Sequence, residues 1–256
     1  GFTIVRMAPL KSPSIVTAQA ADQGQLRDSM QDSVDARMLD PDTALLVVAD
    51  GMGGAPAGDL ASGRALAAVI DTLGQRDWSD PDVALAEAVA AANEAVWQEA
   101  LADPRKAGMG TTLVIALVSA GGARIANVGD SRAYGLLGGE LRQLSDDHSY
   151  VGEAVRDQRM TLDEAREHPY RNVITRVVGT QPHVEPDLVA TDLGIGDTIL
   201  LSTDGLHGPL DDASIAAILA AHGNDLDRAA RALIDAANAA GGPDNIAVAL
   251  ARVGSG

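Results

Sequence analysis

The order of elements predicts an α+β fold: a four-layer α/β/β/α sandwich, two stacked antiparallel sheets flanked by helix pairs, with a flap insertion. Three observations lead there. Strand-like stretches, two helical stretches, more strands, two more helices and a closing strand follow one another, which is not the strict βαβ alternation of a parallel sheet. Tight Gly121-Gly122 and Gly138-Gly139 connections join short strands as hairpins. The run Ala44-Leu45-Leu46-Val47-Val48-Ala49 reads as a buried strand that ends abruptly in Asp50, with three glycines in the next four positions.

Taken in order, an irregular start gives way to a strand over residues 14–21, and Gln23-Gly24 opens a loop carrying Arg27, Asp28 and Asp32. Residues 32–38 form a second strand, and Asp40-Pro41-Asp42 turns the chain into the third. Over residues 58–75 the pattern is helical, with Leu66, Val69, Ile70 and Leu73 at i, i+3, i+4 and i+7. Ser79-Asp80-Pro81 supplies an N-cap and a first-turn proline for a second helix whose Leu85, Val89, Ala92 and Val96 share one face. Strands return over residues 111–119, 124–128, 132–137 and 141–144. Residues 146–178 are polar and charged, with Thr161 and Glu164 as a capping box and His168-Pro169 as a helix stop, and read as a flap over a site. Strands over 186–191 and 197–203, helices over 212–221 and 225–239, and a last strand over 245–253 complete the chain. Without internal repeat, low-complexity tract or linker, residues 1–256 read as a single domain.

Hydrophobic residues make up 46% of the chain but only six residues are aromatic, so the core must come from Ala, Val, Leu and Ile. The net charge is −17, with 36 acids against 19 bases. Such a surface repels nucleic-acid backbones and anionic membranes, and few aromatics remain for base stacking, so neither is an expected partner. It also opposes any anionic substrate unless something reverses the local field. The chain has no cysteine, hence no disulfide, thiolate nucleophile or zinc-thiolate site, which suits a reducing compartment. No apolar run approaches the roughly 20 residues a membrane helix needs, and the N-terminus lacks a signal-peptide core, so the expected location is the cytoplasm. The chain begins at Gly1 rather than Met, as a trimmed protein would.

Singly, Asp-Gly and Asp-Asn are ordinary turn dipeptides, and a turn explains Asp50, Asp204 or Asp244 taken alone. Their joint pattern says more. Asp50 and Asp204 each follow a strongly apolar strand, Asp130 follows another, and Asp244 in Gly241-Gly242-Pro243-Asp244-Asn245 precedes the last. Carboxylates gathered at one end of a sandwich repel each other unless cations lie between them. An all-oxygen set without Cys or suitably spaced His selects hard ions, Mg²⁺ or Mn²⁺. Two such ions roughly 4 Å apart can acidify a water for in-line attack on a phosphoryl group. The glycines after Asp50 do not make a nucleotide loop, because neither Gly-Lys-Ser/Thr nor GxGxxG is present.

Arg27 with Asp32, Ala49-Asp50-Gly51-Met52-Gly53-Gly54, Gly108-Met109-Gly110-Thr111-Thr112-Leu113, Asn127-Val128-Gly129-Asp130-Ser131-Arg132, Ser202-Thr203-Asp204-Gly205-Leu206 and Gly242-Pro243-Asp244-Asn245 occur in one order along the chain. That ordered set resembles the metal-dependent, type 2C protein Ser/Thr phosphatases. Met52 after Asp-Gly and the flap string His168-Pro169-Tyr170-Arg171-Asn172-Val173-Ile174-Thr175-Arg176 are similar to the bacterial branch. The resemblance implies that Asp50 bridges two metals with the Gly51 carbonyl as a ligand of one, and that Asp204 and Asp244 are ligands of the other. It further implies that Asp32 holds metal-bound water, that Arg27 grips the substrate phosphate, and that Asp130 with Asp204 forms a third metal site beside the flap. The implied cofactors are two core Mg²⁺ or Mn²⁺ ions with a third at Asp130. The implied reaction is hydrolysis of phospho-Ser/Thr by a metal-bridged water without a phosphoenzyme. Implied partners are phosphorylated proteins, either substrates of a bacterial Ser/Thr kinase or the kinase itself, acted on by a monomer.

Two departures stand out. Met30-Gln31-Asp32 replaces the Asn-Glu-Asp usual in the family, so Gln31 brings no charge. Met52 occupies the place of a histidine proposed as general acid in eukaryotic relatives. His148 and His168 are alternative proton donors, though a lone flap histidine reads first as solvated. Met109 and Trp97 read as packing residues. The rival functions are a catalytically silent phosphatase-like binding domain, which Gln31 and Met30 favour, and a small-molecule phosphatase of the same chemistry.

Overall fold

The computed structural model describes residues 14–54, 57–75 and 78–255, and the irregular start expected over residues 1–13 lies outside them. The elements run β1 (Ser14–Asp22), β2 (Asp32–Met38), β3 (Thr43–Met52), α1 (Ala57–Gly74), α2 (Pro81–Ala102), β4 (Gly110–Thr111), β5 (Leu113–Ser119), β6 (Gly122–Val128), β7 (Arg132–Leu137) and β8 (Glu140–Gln143). They continue with α3 (Tyr150–Arg156), α4 (Leu162–Glu167), β9 (Asp187–Asp192), β10 (Thr198–Ser202), α5 (Asp204–His207), α6 (Asp212–His222), α7 (Leu226–Ala239) and β11 (Ile246–Gly254). One sheet has the order β1-β11-β10-β7-β8, the other β2-β3-β5-β6-β9 with β4 on the end of β3, and all these pairings are antiparallel.

Side-chain alternation explains why the central strands are continuous apolar runs. On β3, Leu45, Val47 and Ala49 join Val69 and Leu73 of α1 and Leu85 and Val89 of α2 in one core. Leu46 and Val48, on the other face, meet Val114, Val118, Ile199, Leu201 and Ala249 between the two sheets. Leu200, Val248 and Leu250 leave that middle core and pack with Ile215, Leu219 and Leu233 beneath α6 and α7. Three apolar interfaces therefore separate four layers, and a strand buried on both faces has no position for a polar residue until it runs out of the core. Among the described residues, Tyr134 is the one aromatic in the set of largest fully buried side chains, so aliphatic residues fill the interior as the composition requires.

The local signals act as their chemistry dictates. Asp80 caps α2 by accepting from the Val83 N–H at 3.2 Å, with Pro81 in the first turn. Thr161 and Glu164 form the capping box of α4, which stops at His168. Both central residues of the Gly138-Gly139 turn have positive φ, +58° and +89°, the twist a two-residue hairpin needs.

Three features differ from the sequence expectation. β3 does not end at Asp50 but continues to Met52, because Gly51 and Met52 pair with Thr111 and Gly110 of β4. The flap contains a second helix, α3, capped by Ser149 Oγ accepting from the Gly152 N–H at 3.1 Å. Asp204 opens the single-turn α5 rather than a loop. No helix among the described residues is long and apolar enough to cross a membrane.

Candidate metal centre

Antiparallel pairing gathers the acids at one edge. The register sets Asp32, first residue of β2, directly opposite Asp50 on β3. The start of β5 and the end of β6 lie on the same edge, since Leu113 pairs with Val128, and Asp130 follows two residues on. In the other sheet, Ser202 at the end of β10 pairs with Val248 of β11 and Arg132 of β7, which brings Asp204, Asp244 and Asp130 to the matching edge. The links 23–31 and 129–131 cross between the sheets here, so the acids from both sheets converge.

The electrostatics of the cluster are those of charges crowded out of water. Burial first, then Asp32, Asp204, Asp130 and Asp244, push the Asp50 carboxyl well above its ordinary value. Asp32, only 8% exposed, is raised by burial against the opposing hydrogen bond from Thr203, with Asp204 and Asp244 adding to the rise. Burial, then Asp204 and Asp147, raise Asp130 to about 7, and burial, then Asp244, raise Asp204 to about 6. Asp130 Oδ1 and Asp204 Oδ1 are buried without a hydrogen-bond partner. Two orphaned carboxylate oxygens inside a like-charged cluster call for protons or a cation, because a buried charge without a partner is among the costliest arrangements in a protein.

Backbone packing fixes where the donors sit. A Cβ on Gly51 would lie 2.0 Å from the Gly58 carbonyl oxygen, so β3 and the first turn of α1 touch main chain to main chain. The Asp50 carbonyl accepts from the Thr112 N–H and Thr111 Oγ1, each at 2.9 Å, while the Asp50 N–H donates to Thr112 Oγ1 at 2.9 Å. Thr112 Oγ1 in turn lies 2.7 Å from Ser131 Oγ, next to Asp130. Thr203 Oγ1 donates to Asp32 Oδ2 at 2.7 Å and accepts from the Ala247 N–H at 2.9 Å. Asn245 donates to the carbonyls of Gln23 and Ser29 and accepts from the Gln31 N–H at 2.7 Å, which ties the Arg27 loop to the Asp244 loop. Thr203 and Asn245 stand inside sequence motifs that single out their acidic neighbours, and only the fold shows what they hold.

Arg27 is half exposed, and its Nη2 donates to Asp244 Oδ2 at 2.5 Å. That contact, reinforced by Asp50 and Asp204, raises its pKa further, so the guanidinium is a fixed cation at the rim of the acidic cluster. Gln31 is pinned through its main chain, whose carbonyl accepts from the Gly51 N–H and Ser62 Oγ, independently of its side-chain charge. Met52 is half-buried beside Gly110 and offers no proton. Met109 is buried and Trp97 half-buried, as packing residues should be. His148 departs from expectation: it is 1% exposed rather than solvated, with Nδ1 accepting from the Gly129 N–H at 3.1 Å.

Among the described residues, no three acidic or histidine side chains converge tightly enough to hold one ion by themselves. A centre for Mg²⁺ or Mn²⁺ does not require that, since such ions keep several waters and take carbonyl oxygens beside one or two carboxylates. The carboxylates gathered here, with no sulfur among them, fit that habit.

A family model described as protein phosphatase 2C matches residues 22–248. The chain belongs to the protein phosphatase 2C family. It is 37% identical over 236 residues to the serine/threonine protein phosphatase PstP of Mycobacterium tuberculosis, covering 92% of this chain but only 44% of PstP. It thus spans less than half the length of that relative. The serine/threonine phosphatase stp of Listeria monocytogenes is 34% identical over 233 residues, covering 90% of this chain and 92% of the other. Among solved structures of this phosphatase family, the PstP catalytic domain in complex with two manganese ions superposes with a TM-score of 0.85 at 34% identity, covering 95% of this chain and all of the other. Membership explains the two face-to-face sheets and places this chain in the bacterial, metal-dependent branch of type 2C phosphatases.

Proposed function

We propose that this chain is a metal-dependent protein phosphatase that hydrolyses phosphoserine and phosphothreonine, with residues 1–256 acting as one catalytic domain and 146–178 as its flap. The observation that carries the reading is the buried, like-charged set of Asp32, Asp50, Asp130 and Asp204, in which two carboxylate oxygens lack partners. Asp50, the Gly51 carbonyl, Asp204 and Asp244 would hold two Mg²⁺ or Mn²⁺ ions, Asp32 would hold their water, and Asp130 with Asp204 would hold a third ion. Bound there, the ions would supply Lewis acidity, acidifying water and offsetting phosphoryl charge.

The chain's own residues do the rest. Arg27 binds and orients the phosphate through a planar fork of donors suited to its oxygens. Thr203 fixes the Asp32 carboxyl, so that Asp32 can accept a proton from the attacking water. Thr111 and Thr112 lock the Asp50 main chain against drift. Phosphate monoesters resist hydrolysis more than almost any biological bond, needing up to ~10²¹-fold acceleration, which accounts for so many carboxylates in one place. The manganese in the PstP structure and the names of the relatives support the cofactor and the protein substrate. Kinase-phosphorylated proteins, or the kinase itself, are the substrates this reading favours, in the reducing cytoplasm that suits a cysteine-free chain.

Turnover of a phosphothreonine peptide, measured before and after EDTA beside a calorimetric Mn²⁺ titration, tests the proposal. Mn²⁺ uptake with EDTA-sensitive turnover is expected. Uptake without turnover instead favours the silent binding domain to which Gln31 points, and turnover unchanged in EDTA contradicts the mechanism.

A further inference from the structure

We infer that His148 is a positioning residue for Asp130, joining the root of the flap to the Gly129-Asp130 turn; the inference rests on the metal-dependent reading of the site. His148 sits between strand β8 and helix α3, at the point where the chain enters the flap, and its ring is buried. It meets Gly129 twice. Its main-chain N–H donates to the Gly129 carbonyl at 2.9 Å, and its Nδ1 accepts from the Gly129 N–H at 3.1 Å. Its own carbonyl accepts from the Thr175 N–H at 2.8 Å, and Ser149 bridges Ile174, so the outgoing end of the flap is fastened to the same residue.

The far side of the ring is also occupied. Nε2 lies 3.0 Å from Asp187 Oδ2, an electrostatic contact that falls outside hydrogen-bond geometry, while Asp187 Oδ1 accepts from Arg176 Nη1 at 2.5 Å. An imidazole that accepts at Nδ1 carries its proton on Nε2, the nitrogen facing Asp187. Gly129 has no freedom to compensate. Its φ is +108°, and a Cβ there would meet Thr112 at 2.7 Å, so the peptide is held between Thr112 on one side and the His148 ring on the other. Asp130 follows immediately, with its buried Oδ1 unpartnered.

His148 thus makes the seating of the flap and the position of the Asp130 carboxylate one structural variable. The residue type matters because the side chain must present an acceptor to the Gly129 N–H. Asn can present Oδ1 where Nδ1 lies, whereas Gln places its amide near Nε2 and leaves the Gly129 N–H without an acceptor.

Calorimetric Mn²⁺ titration of the wild type, Asp130→Asn, His148→Gln and His148→Asn tests this, with phosphopeptide turnover recorded alongside. His148→Gln is expected to weaken the weakest Mn²⁺ phase about tenfold or more, as Asp130→Asn does, while leaving the tight phase unchanged. His148→Asn is expected to restore the weak phase. Normal weak-phase binding in His148→Gln, or equal loss in His148→Asn, overturns the inference alone. A wild-type chain that takes up no Mn²⁺ overturns the metal reading and the inference together. Should either variant fail to fold, ¹⁵N spectra of the wild-type imidazole decide instead. An unprotonated Nδ1, with the His148 ring and Gly129 amide signals shifting together during the weak phase of a Mg²⁺ titration, supports the inference. A protonated Nδ1 or a static Gly129 amide overturns it.

Discussion

Asp32 and Asp50 stand directly opposite each other across the β2–β3 pair, both deep in the edge where the two sheets open. Directly paired residues on antiparallel strands bring their side chains within about 5 Å, and like charges there are destabilising. The pairing is a charge conflict that protons or a cation would relieve, and its consequences can be measured.

The first concerns pH. Asp204 and Asp130 have folded values of about 6 and about 7, above the ordinary 3.8, and Asp32 and Asp50 are raised as well. Between 3.8 and those values the folded chain binds more protons than the unfolded one, so their contribution to metal-free stability is full below pH 3.8 and lost as pH rises through 6 to 7 and beyond. On the proposed function, Mn²⁺ takes the place of the protons. The melting temperature in EDTA should therefore fall from pH 5 to pH 8, and the increase on adding Mn²⁺ should widen over the same range. Parallel melting curves with and without Mn²⁺ at each pH check this.

Replacing Asp50 by Asn removes one of the two facing charges and, on the proposed function, a bridging metal ligand as well. Turnover should drop by at least about 10²-fold. In EDTA at pH 8 the variant should melt higher than the wild type, by about 2–4 °C for each kcal/mol of relieved repulsion. Activity and thermal melts on the same preparation separate this from simple unfolding, which would lower both.

Among the described residues, Arg27 is held by one carboxylate contact at the rim, through Nη2, which leaves its other donors for a phosphate. Arg27→Ala should raise KM for a phosphopeptide by about tenfold or more, the value of a hydrogen bond to a charged group, with Mn²⁺ binding retained. Arg27→Lys should recover only part of the loss, because an ammonium cannot reproduce the planar fork.

The Gly51–Gly58 contact leaves no room for a methyl group. Gly51→Ala places a carbon 2.0 Å from the Gly58 carbonyl oxygen, backbone against backbone, and should cost at least about 2–3 kcal/mol as well as displace the Gly51 carbonyl. Urea midpoints measured in EDTA isolate the packing cost from metal loss.

Much of this was legible in the sequence because it depends on local pattern. The apolar run of β3 has to be buried on both faces, the Gly138-Gly139 turn has to make a hairpin, and Asp80-Pro81 has to start a helix. Asp50, Asp204 and Asp244 were visible as acids beside such strands. What was hidden depends on partners distant in sequence. β3 runs on to Met52 because β4 arrives to pair with it. The seven residues of α3 are too few to display a period, and only Ala154 among them is buried. Asp146-Asp147-His148-Ser149 reads as exposed, yet His148 is buried because its ring is held against the Gly129 turn, whose N–H donates to Nδ1, and faces Asp187 of β9 on its other side. Thr203 and Asn245 escaped for the same reason, since their targets Asp32, Gln23 and Ser29 lie more than 170 residues away.

The central claim is that the converging acids are a cation site. An anomalous difference map from crystals grown with Mn²⁺, collected above the manganese absorption edge, tests it most directly. The account predicts two strong peaks among Asp50, the Gly51 carbonyl, Asp204 and Asp244, with a weaker third at Asp130. A map without peaks at Asp50, the cluster remaining as acids hydrogen-bonded to one another, would contradict it.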